Sequence, residues 1–408
     1  MRIVYLHQYF VSPDGSGGTR SYEFARRLIA DGHQVTMISS SANLDGLFER
    51  QGRVTSCTIK GIPTIVIDVP YSNEMSFLRR TWAFFAFAFL ASFQTMRQPT
   101  DIIFATSTPL TIAIPALLGK LWRRVPMVFE VRDLWPEMPI AVRALRNPIL
   151  KASARLLEWL AYRSSEHVIA LSPGMAEGVQ RRGISPDRVT IIPNSSDVDL
   201  FDVSPESGER IRAELSLNPD QSLILYAGTF GLINNVSYLV DVAHHMREIN
   251  PDCHFLLIGS GAKAKEIRQK AQSHGVLGHN LTIWSQRAKS DMPAILSATT
   301  IATSVFLPIK EMENNSANKF FDALAAGRPI AINYGGWQAD LLCETGAGLV
   351  LPTDDPYEAA QTLNHALQSV DWLESARSAA RRLARERFDR DLLYAKLRDV
   401  LESAVEKS

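Results

Sequence analysis

Short apolar strands alternate with amphipathic helices along the whole chain, and few folds can accommodate that rhythm. Strand candidates fall at 3–7, 34–38, 64–68, 102–105, 127–130, 167–170 and 190–192. A second group follows at 223–226, 254–258, 281–283, 301–304, 329–332 and 348–350. Helix candidates lie between them, among them 21–31, 149–163, 173–182, 236–249, 263–274 and 357–369. Continuous apolar strands separated by helices imply parallel sheets covered on both faces, hence an α/β fold. Thirteen strands exceed one ordinary open sheet. The chain should therefore divide near 194–219, a stretch rich in Ser, Pro, Asp and Asn. Two doubly wound, Rossmann-like domains are expected to face each other across a cleft, at 1–200 and 201–380. A last helical segment, 381–408, should return toward the N-terminal domain. Ligands in such folds bind at the carboxyl ends of the strands, which makes the cleft the default site.

Composition excludes several classes. The 408 residues carry 43 basic and 43 acidic side chains, so overall charge gives no support to nucleic-acid binding. Cys57, Cys253 and Cys343 are scattered without metal or redox spacing, which fits a reducing compartment. Met1–Leu6 reads as a first buried strand rather than a signal-peptide core, so a cytoplasmic N-terminus is expected. The most apolar run, 81–93, holds Trp82, Phe84, Phe85, Phe87, Phe89 and Phe93 between Arg79, Arg80 and Arg97. At thirteen residues it falls short of the roughly 20 that span a bilayer. It reads either as a buried helix between sheet and surface or as a helix touching an anionic membrane through 79–97.

The densest functional signal is Asn314-Asn-Ser-Ala-Asn-Lys-Phe-Phe-Asp322-Ala-Leu-Ala-Ala-Gly327-Arg-Pro329. Ala317, Phe320, Phe321, Leu324 and Ala325 have helical spacing and define one buried face. Asn318, Lys319 and Asp322 then share the other side. A cation and a carboxylate near a helix N-terminus suit a ligand bearing phosphate and hydroxyl groups, such as a nucleotide sugar. Earlier, Gly15, Gly17 and Gly18 lie between the first strand and a helix, where a ligand can approach the backbone. Glu130-Val-Arg132-Asp133-Leu-Trp135-Pro-Glu137-Met-Pro follows a buried strand and offers a polar pocket, with Trp135 as an apolar wall. Asp133 and Glu137 are candidate acid–base groups. Two more strands, in Tyr226-Ala-Gly228-Thr229 and Ile258-Gly259-Ser-Gly261, also run into glycine loops.

Taken together, these residues resemble the retaining GT-B glycosyltransferases of family 4 over nearly the whole chain. The resemblance rests on Gly17-Gly18, Gly32-His33-Gln-Val35, Ile191-Ile-Pro-Asn194 with Phe201, Tyr226-Ala-Gly228 and Ile258-Gly259-Ser-Gly261. It extends to Asp322-Ala-Leu-Ala-Ala-Gly327-Arg-Pro329 and Gly335-Gly336. Arg132-Asp-Leu-Trp-Pro-Glu137 resembles the subset that builds bacterial surface polysaccharides, the amino-sugar and fucosamine transferases in particular. The resemblance implies retaining transfer from a nucleoside diphosphate sugar to a glycan or lipid-linked acceptor. It implies neither metal nor cofactor, with UDP favoured over GDP in the donor. Asp322 stands where a glutamate usually binds ribose, and Gly17, Gly18, Gly335 and Gly336 where amides meet the diphosphate or sugar.

The chain departs from that pattern at three places. The paired glutamates become Asn314 and Asp322, with Glu313 adjacent to the first. The usual histidine aligns with Arg132. The Arg and Lys that clamp the diphosphate align with Thr229 and Asn234. A diphosphate needs a counter-charge, and Lys319 is the expected substitute, with Arg20 or Arg287 assisting. Two other readings stay open at this point: a nucleotide-sugar epimerase on the same fold, and a non-catalytic partner in a polysaccharide assembly complex.

Overall fold

In the computed structural model the described residues are 1–15, 17–71, 75–133, 135–137, 140 and 145–407, with Phe77 described by its backbone alone. Ser16 of the glycine loop, and Leu134, Met138 and Pro139 of the Asp-Leu-Trp-Pro-Glu-Met-Pro run, lie outside them. The chain divides into two compact units. One comprises Met1–Pro193, Asn314–Ser316 and Leu393–Ser408, the other Asn194–Glu313 and Ala317–Leu392.

The first unit is built on eight strands: β1 (Arg2–Leu6), β2 (Gln34–Ser40), β3 (Val54–Ile59), β4 (Ile62–Ile67), β5 (Ile102–Thr106), β6 (Met127–Val131), β7 (His167–Ala170) and β8 (Val189–Ile191). Their order is β3-β4-β2-β1-β5-β6-β7-β8. All neighbours run parallel except β3 and β4, and β1 pairs Ile3 with Val35 on one side and Ile102 on the other. The β3 strand was absent from the sequence reading. It joins β4 through Lys60 (φ 48°) and Gly61 (φ 86°), a two-residue turn with both residues left-handed, as a tight antiparallel hairpin requires. One face of the sheet packs Val4, Ile103 and Phe129 against Phe87, Ala113 and Ala161 of the helices Phe77–Arg97, Ala113–Arg123 and Pro148–Ser164. The other face packs Tyr5 and Phe104 against Phe24 of Arg20–Ala30 and against Leu393, Leu397 and Leu401 of the last helix, Arg390–Glu406.

The second unit has six parallel strands: β9 (Ser222–Ala227), β10 (Cys253–Ile258), β11 (Leu281–Trp284), β12 (Ile301–Ser304), β13 (Ile330–Ile332) and β14 (Gly348–Val350), in the order β11-β10-β9-β12-β13-β14. Residues expected to form a bare connection instead include the helix Pro205–Glu214, begun by a proline at its first position, where the missing N–H costs nothing.

In both sheets the winding reverses beside the first strand of the unit, between β1 and β5 and between β9 and β12. Loops at the carboxyl ends of those strands diverge there and leave room for a ligand.

Candidate functional site

At the reversal point of the second unit stands Lys319, on the helix Asn318–Ala325. Its Nζ lies 4.6 Å from the centroid of the Tyr226 ring at the end of β9 and 4.8 Å from that of Phe306, just past β12. The Tyr226 Oη is 3.4 Å away. Gly228 makes this approach possible, since a Cβ there would come within 3.1 Å of Lys319 Cε. Among the described residues no carboxylate pairs with this ammonium. Burial lowers its pKa from the ordinary 10.5 to about 7.

Asp322, one turn further along, is treated differently. Its Oδ1 accepts from Ser196 Oγ at 2.7 Å, and its Oδ2 is paired with Lys289 Nζ. Of the three residues expected to share the polar side of this helix, Asp322 is enclosed while Asn318 and Lys319 are half-buried. Asp322 is buried among its own partners, and Lys319 lies beneath two aromatic rings. Lys289 and Ser196 were missed in the sequence. The signal for Lys289 was a pair of basic residues, Arg287 and Lys289, just past a strand end, of which only Arg287 was singled out. Arg287 follows the edge strand β11, stacks on Trp284 at 4.7 Å and pairs with Glu214 at 3.1 Å.

The neighbouring loops divide by role. Gly259 carries no room for a side chain, because an added Cβ would sit 1.9 Å from the Gly228 carbonyl oxygen. It therefore serves close packing of the two loops. The Thr229 carbonyl accepts from Tyr226 Oη at 3.0 Å while its side chain is exposed, and the Asn234 side chain hydrogen-bonds the same phenol. Gly336 (φ 83°, ψ −163°) caps the helix Trp337–Thr345 in a conformation open to glycine alone. A Cβ at Gly335 would meet the Glu313 carboxylate at 3.8 Å, so Glu313 faces the Gly335-Gly336 turn. Asn314 goes elsewhere. It fits against Gly174, where an added Cβ would lie 1.8 Å from Asn314 Oδ1, and its carbonyl accepts from Ser172 Oγ at 2.7 Å.

In the first unit the reversal point collects His7, Thr108, Arg132 and Asp133. Arg132 Nη1 lies 3.3 Å from His7 Nε2, and its amide donates to Ser107 Oγ at 2.9 Å. Burial, reinforced by Arg132, pushes the His7 imidazole well below its ordinary pKa and favours its neutral form. Burial also raises the Asp133 carboxyl, against a 2.9 Å hydrogen bond from Thr108 Oγ1 and the charge of Arg132. Thr108 has φ 90°, an outlier for a β-branched residue and a mark of a constrained site. Glu137 is drawn into an ion-pair cluster with Arg182, which also pairs with the buried Glu158 at 2.9 Å. Burial, then the charge of Glu137, raises Glu158 to about 7. Trp135 packs on the core of the sheet. Gly17 is exposed and Gly18 half-buried. Arg20, expected to assist Lys319, is already committed within its own unit. Its guanidinium is consumed by Glu130 at 2.8 and 2.9 Å and by the carbonyls of Pro193 at 2.5 Å and Ile192 at 2.9 Å.

Residues 15–195 match the family described as Glycosyl transferase 4-like domain, and residues 221–369 match Glycosyl transferases group 1. An Escherichia coli K12 protein with the name "Putative colanic acid biosynthesis glycosyl transferase WcaI" is 21% identical over 95% of this chain and 96% of its own length. The alpha-maltose-1-phosphate synthase of Mycolicibacterium smegmatis is 26% identical, but over only 38% of this chain and 40% of its own. The crystal structure of Anabaena Alr3699/HepE in complex with UDP and glucose superposes with a TM-score of 0.74, at 17% identity, over 99% of this chain and 100% of that one. With a 4-like domain followed by a group 1 domain, on one largely parallel and one parallel sheet of GT-B type, the chain belongs to the glycosyltransferases.

Proposed function

We propose that the chain transfers a sugar, an N-acetylated amino sugar in the favoured case, from a UDP-linked donor to a lipid-linked or oligosaccharide acceptor. The reaction belongs to bacterial surface polysaccharide assembly and proceeds with retention at the anomeric carbon and without a metal. The observation that carries the donor half is Lys319, which has no carboxylate partner among the described residues and stands at the reversal point of the second sheet. A diphosphate supplies the missing charge. As the glycosidic bond breaks, negative charge grows on the leaving phosphate, and a fixed cation in a water-poor setting stabilises it. In this reading Glu313, beside Gly335, hydrogen-bonds sugar hydroxyls. Asp322 serves the ribose by giving up or sharing Ser196 and Lys289.

The names of WcaI and of the UDP-bound HepE structure support the polysaccharide and UDP readings. The exposed aromatic helix Phe77–Arg97 supports a lipid-linked acceptor and a peripheral membrane contact through 79–97 on the cytoplasmic face. Retention follows a same-face route, in which the leaving phosphate takes the acceptor proton. The test is anomer-resolved NMR of the product made from UDP-sugars and lipid-linked acceptors. Retention at the anomeric carbon is expected, and an inverted product overturns the route.

A further inference from the structure

The helix Phe77–Arg97 is apolar on both sides. Ala83, Phe87 and Ala91 face the sheet, while Leu78, Trp82, Phe85, Phe89 and Phe93 form an outward stripe with steps of four, three, four and four. Trp82 is 66% exposed and Phe89 64%, so the outward side is the more aromatic one. The surface does not end there. The adjoining helix Ala113–Arg123 exposes Leu118, Leu121 and Trp122, the last at 70%. The helix Pro148–Ser164, packed beside that one, exposes Ile149, Leu156 and Trp159. The three helices belong to the layer on one face of the first sheet. Monomeric proteins rarely expose so wide an apolar face without a use for it.

Charge narrows the choice of occupant. These helices carry eight basic residues and one acid, Glu158, which is buried. In a chain with equal totals the remainder carries the opposite excess. A second copy seated face to face would bring two basic, aromatic surfaces together, against the depletion of charge usual in a self-complementary interface. Aromatic rings beside Arg and Lys suit the interface of an anionic bilayer. Among the described residues no helix is long and apolar enough to cross a membrane, so a membrane contact of this face is a peripheral one. Between the first two helices runs a groove of about 350 Å³, bounded by Phe85, Phe89, Phe93, Met96, Ile114 and Leu118. The hydroxyl at its floor, Ser92 Oγ, is already satisfied by the Ala88 carbonyl at 2.7 Å. What the groove offers a ligand is hydrocarbon contact.

We infer that the three helices form one docking face for an anionic bilayer, and that the groove seats a single acyl chain of a bilayer lipid. This deepens the membrane contact proposed above while resting on none of the donor chemistry. The test floats the full chain with phosphatidylglycerol-containing vesicles and with phosphatidylcholine vesicles. Binding to the first should be roughly tenfold or more stronger and should weaken with salt. Trp122→Glu and Trp159→Glu, both outside Phe77–Arg97, should each lose about tenfold in vesicle binding, since a charge replaces an inserted ring. Both residues are exposed, so thermal melting should stay unchanged, and UDP binding by calorimetry should match the wild type.

Equal binding to both vesicle types, no effect of either substitution, or a stable dimer by light scattering without vesicles would overturn the docking face. Native mass spectrometry of protein recovered from the vesicles should show one phospholipid per chain, reduced by Phe89→Glu. Recovery of none overturns the groove. Loss of UDP binding with vesicle binding intact would count against the donor site alone.

Discussion

Arg20 is fully buried and Lys319 half-buried, both close to the point where a sheet reverses, yet their surroundings are opposite. Arg20 finds a full set of partners in its own unit: a carboxylate held in a fork and two backbone carbonyls. Burial alone would raise Glu130, but Arg20 and Arg132 outweigh it and hold the carboxyl below its ordinary range. Lys319 has two ring faces and a phenol oxygen at the limit of hydrogen bonding. A buried charge that the chain itself neutralises is a structural device. One that meets only ring faces and a phenol among the described residues is, on the reading proposed above, the one that takes a counter-charge from a ligand. Both looked like candidate phosphate cations in the sequence.

The sharpest way to break that distinction is Glu130→Leu. It leaves the Arg20 guanidinium buried and uncompensated, and removing one partner of such a pair costs about 3–5 kcal/mol. Denaturant unfolding should show the loss at neutral pH. A change of under about 1 kcal/mol would mean that the two carbonyls suffice and that Arg20 is no more committed than Lys319.

Lys319→Met is expected to do the reverse. Stability should hold or rise, because a desolvated charge is removed, while donor affinity falls roughly 10- to 100-fold, the worth of a charge-assisted contact. Calorimetry with UDP reads the second effect. The pH dependence adds a signature. The folded pKa is depressed to about 7 from the ordinary 10.5, so between those values the unfolded chain holds a proton that the folded chain has shed. The contribution of Lys319 therefore makes stability climb as pH rises through that window. UDP affinity should run the other way and weaken as pH rises through about 7, because the diphosphate binds the ammonium form. Lys319→Met should flatten both trends, and trends unchanged in the variant would remove Lys319 from the donor site.

The sequence disclosed Lys319 more readily than its setting. Helical spacing around Phe320, Phe321 and Leu324 was enough to place Lys319 and Asp322 on a short helix. Which partners meet them depends on chain folding over long distances. Ser196 lies 126 residues from Asp322 and Lys289 lies 33, while Arg20 is 110 from Glu130. No local pattern records such pairings. The β3 strand was legible in principle, from Val54, Thr55 and Ile59 before Lys60-Gly61, but its half-exposed, mixed pattern hides it beside the continuous apolar strands. The outward aromatic stripe of Phe77–Arg97 was ambiguous for a different reason. Periodicity separates polar from apolar faces, and a helix apolar on both sides gives it nothing to separate.

The smallest expected effect comes from Ser196, and it tests whether Asp322 belongs with the structural cation or the ligand cation. Asp322 has the buried, doubly partnered look of Glu130, which argues for structure. One of those partners is a neutral hydroxyl, which a ribose hydroxyl can replace without uncovering a charge. Ser196→Ala removes that hydrogen bond and should cost about 1 kcal/mol of stability, leaving the pair with Lys289 intact. If Asp322 serves the ribose, the vacated Oδ1 becomes easier for the donor to reach, and UDP affinity should hold or improve slightly in calorimetry. A parallel loss of stability and UDP affinity would instead mean that Ser196 fixes the carboxylate in its working position. Asp322 would then meet the donor only as Ser196 positions it, and Ser196 rather than Asp322 would stand with Arg20 and Glu130 as part of the frame.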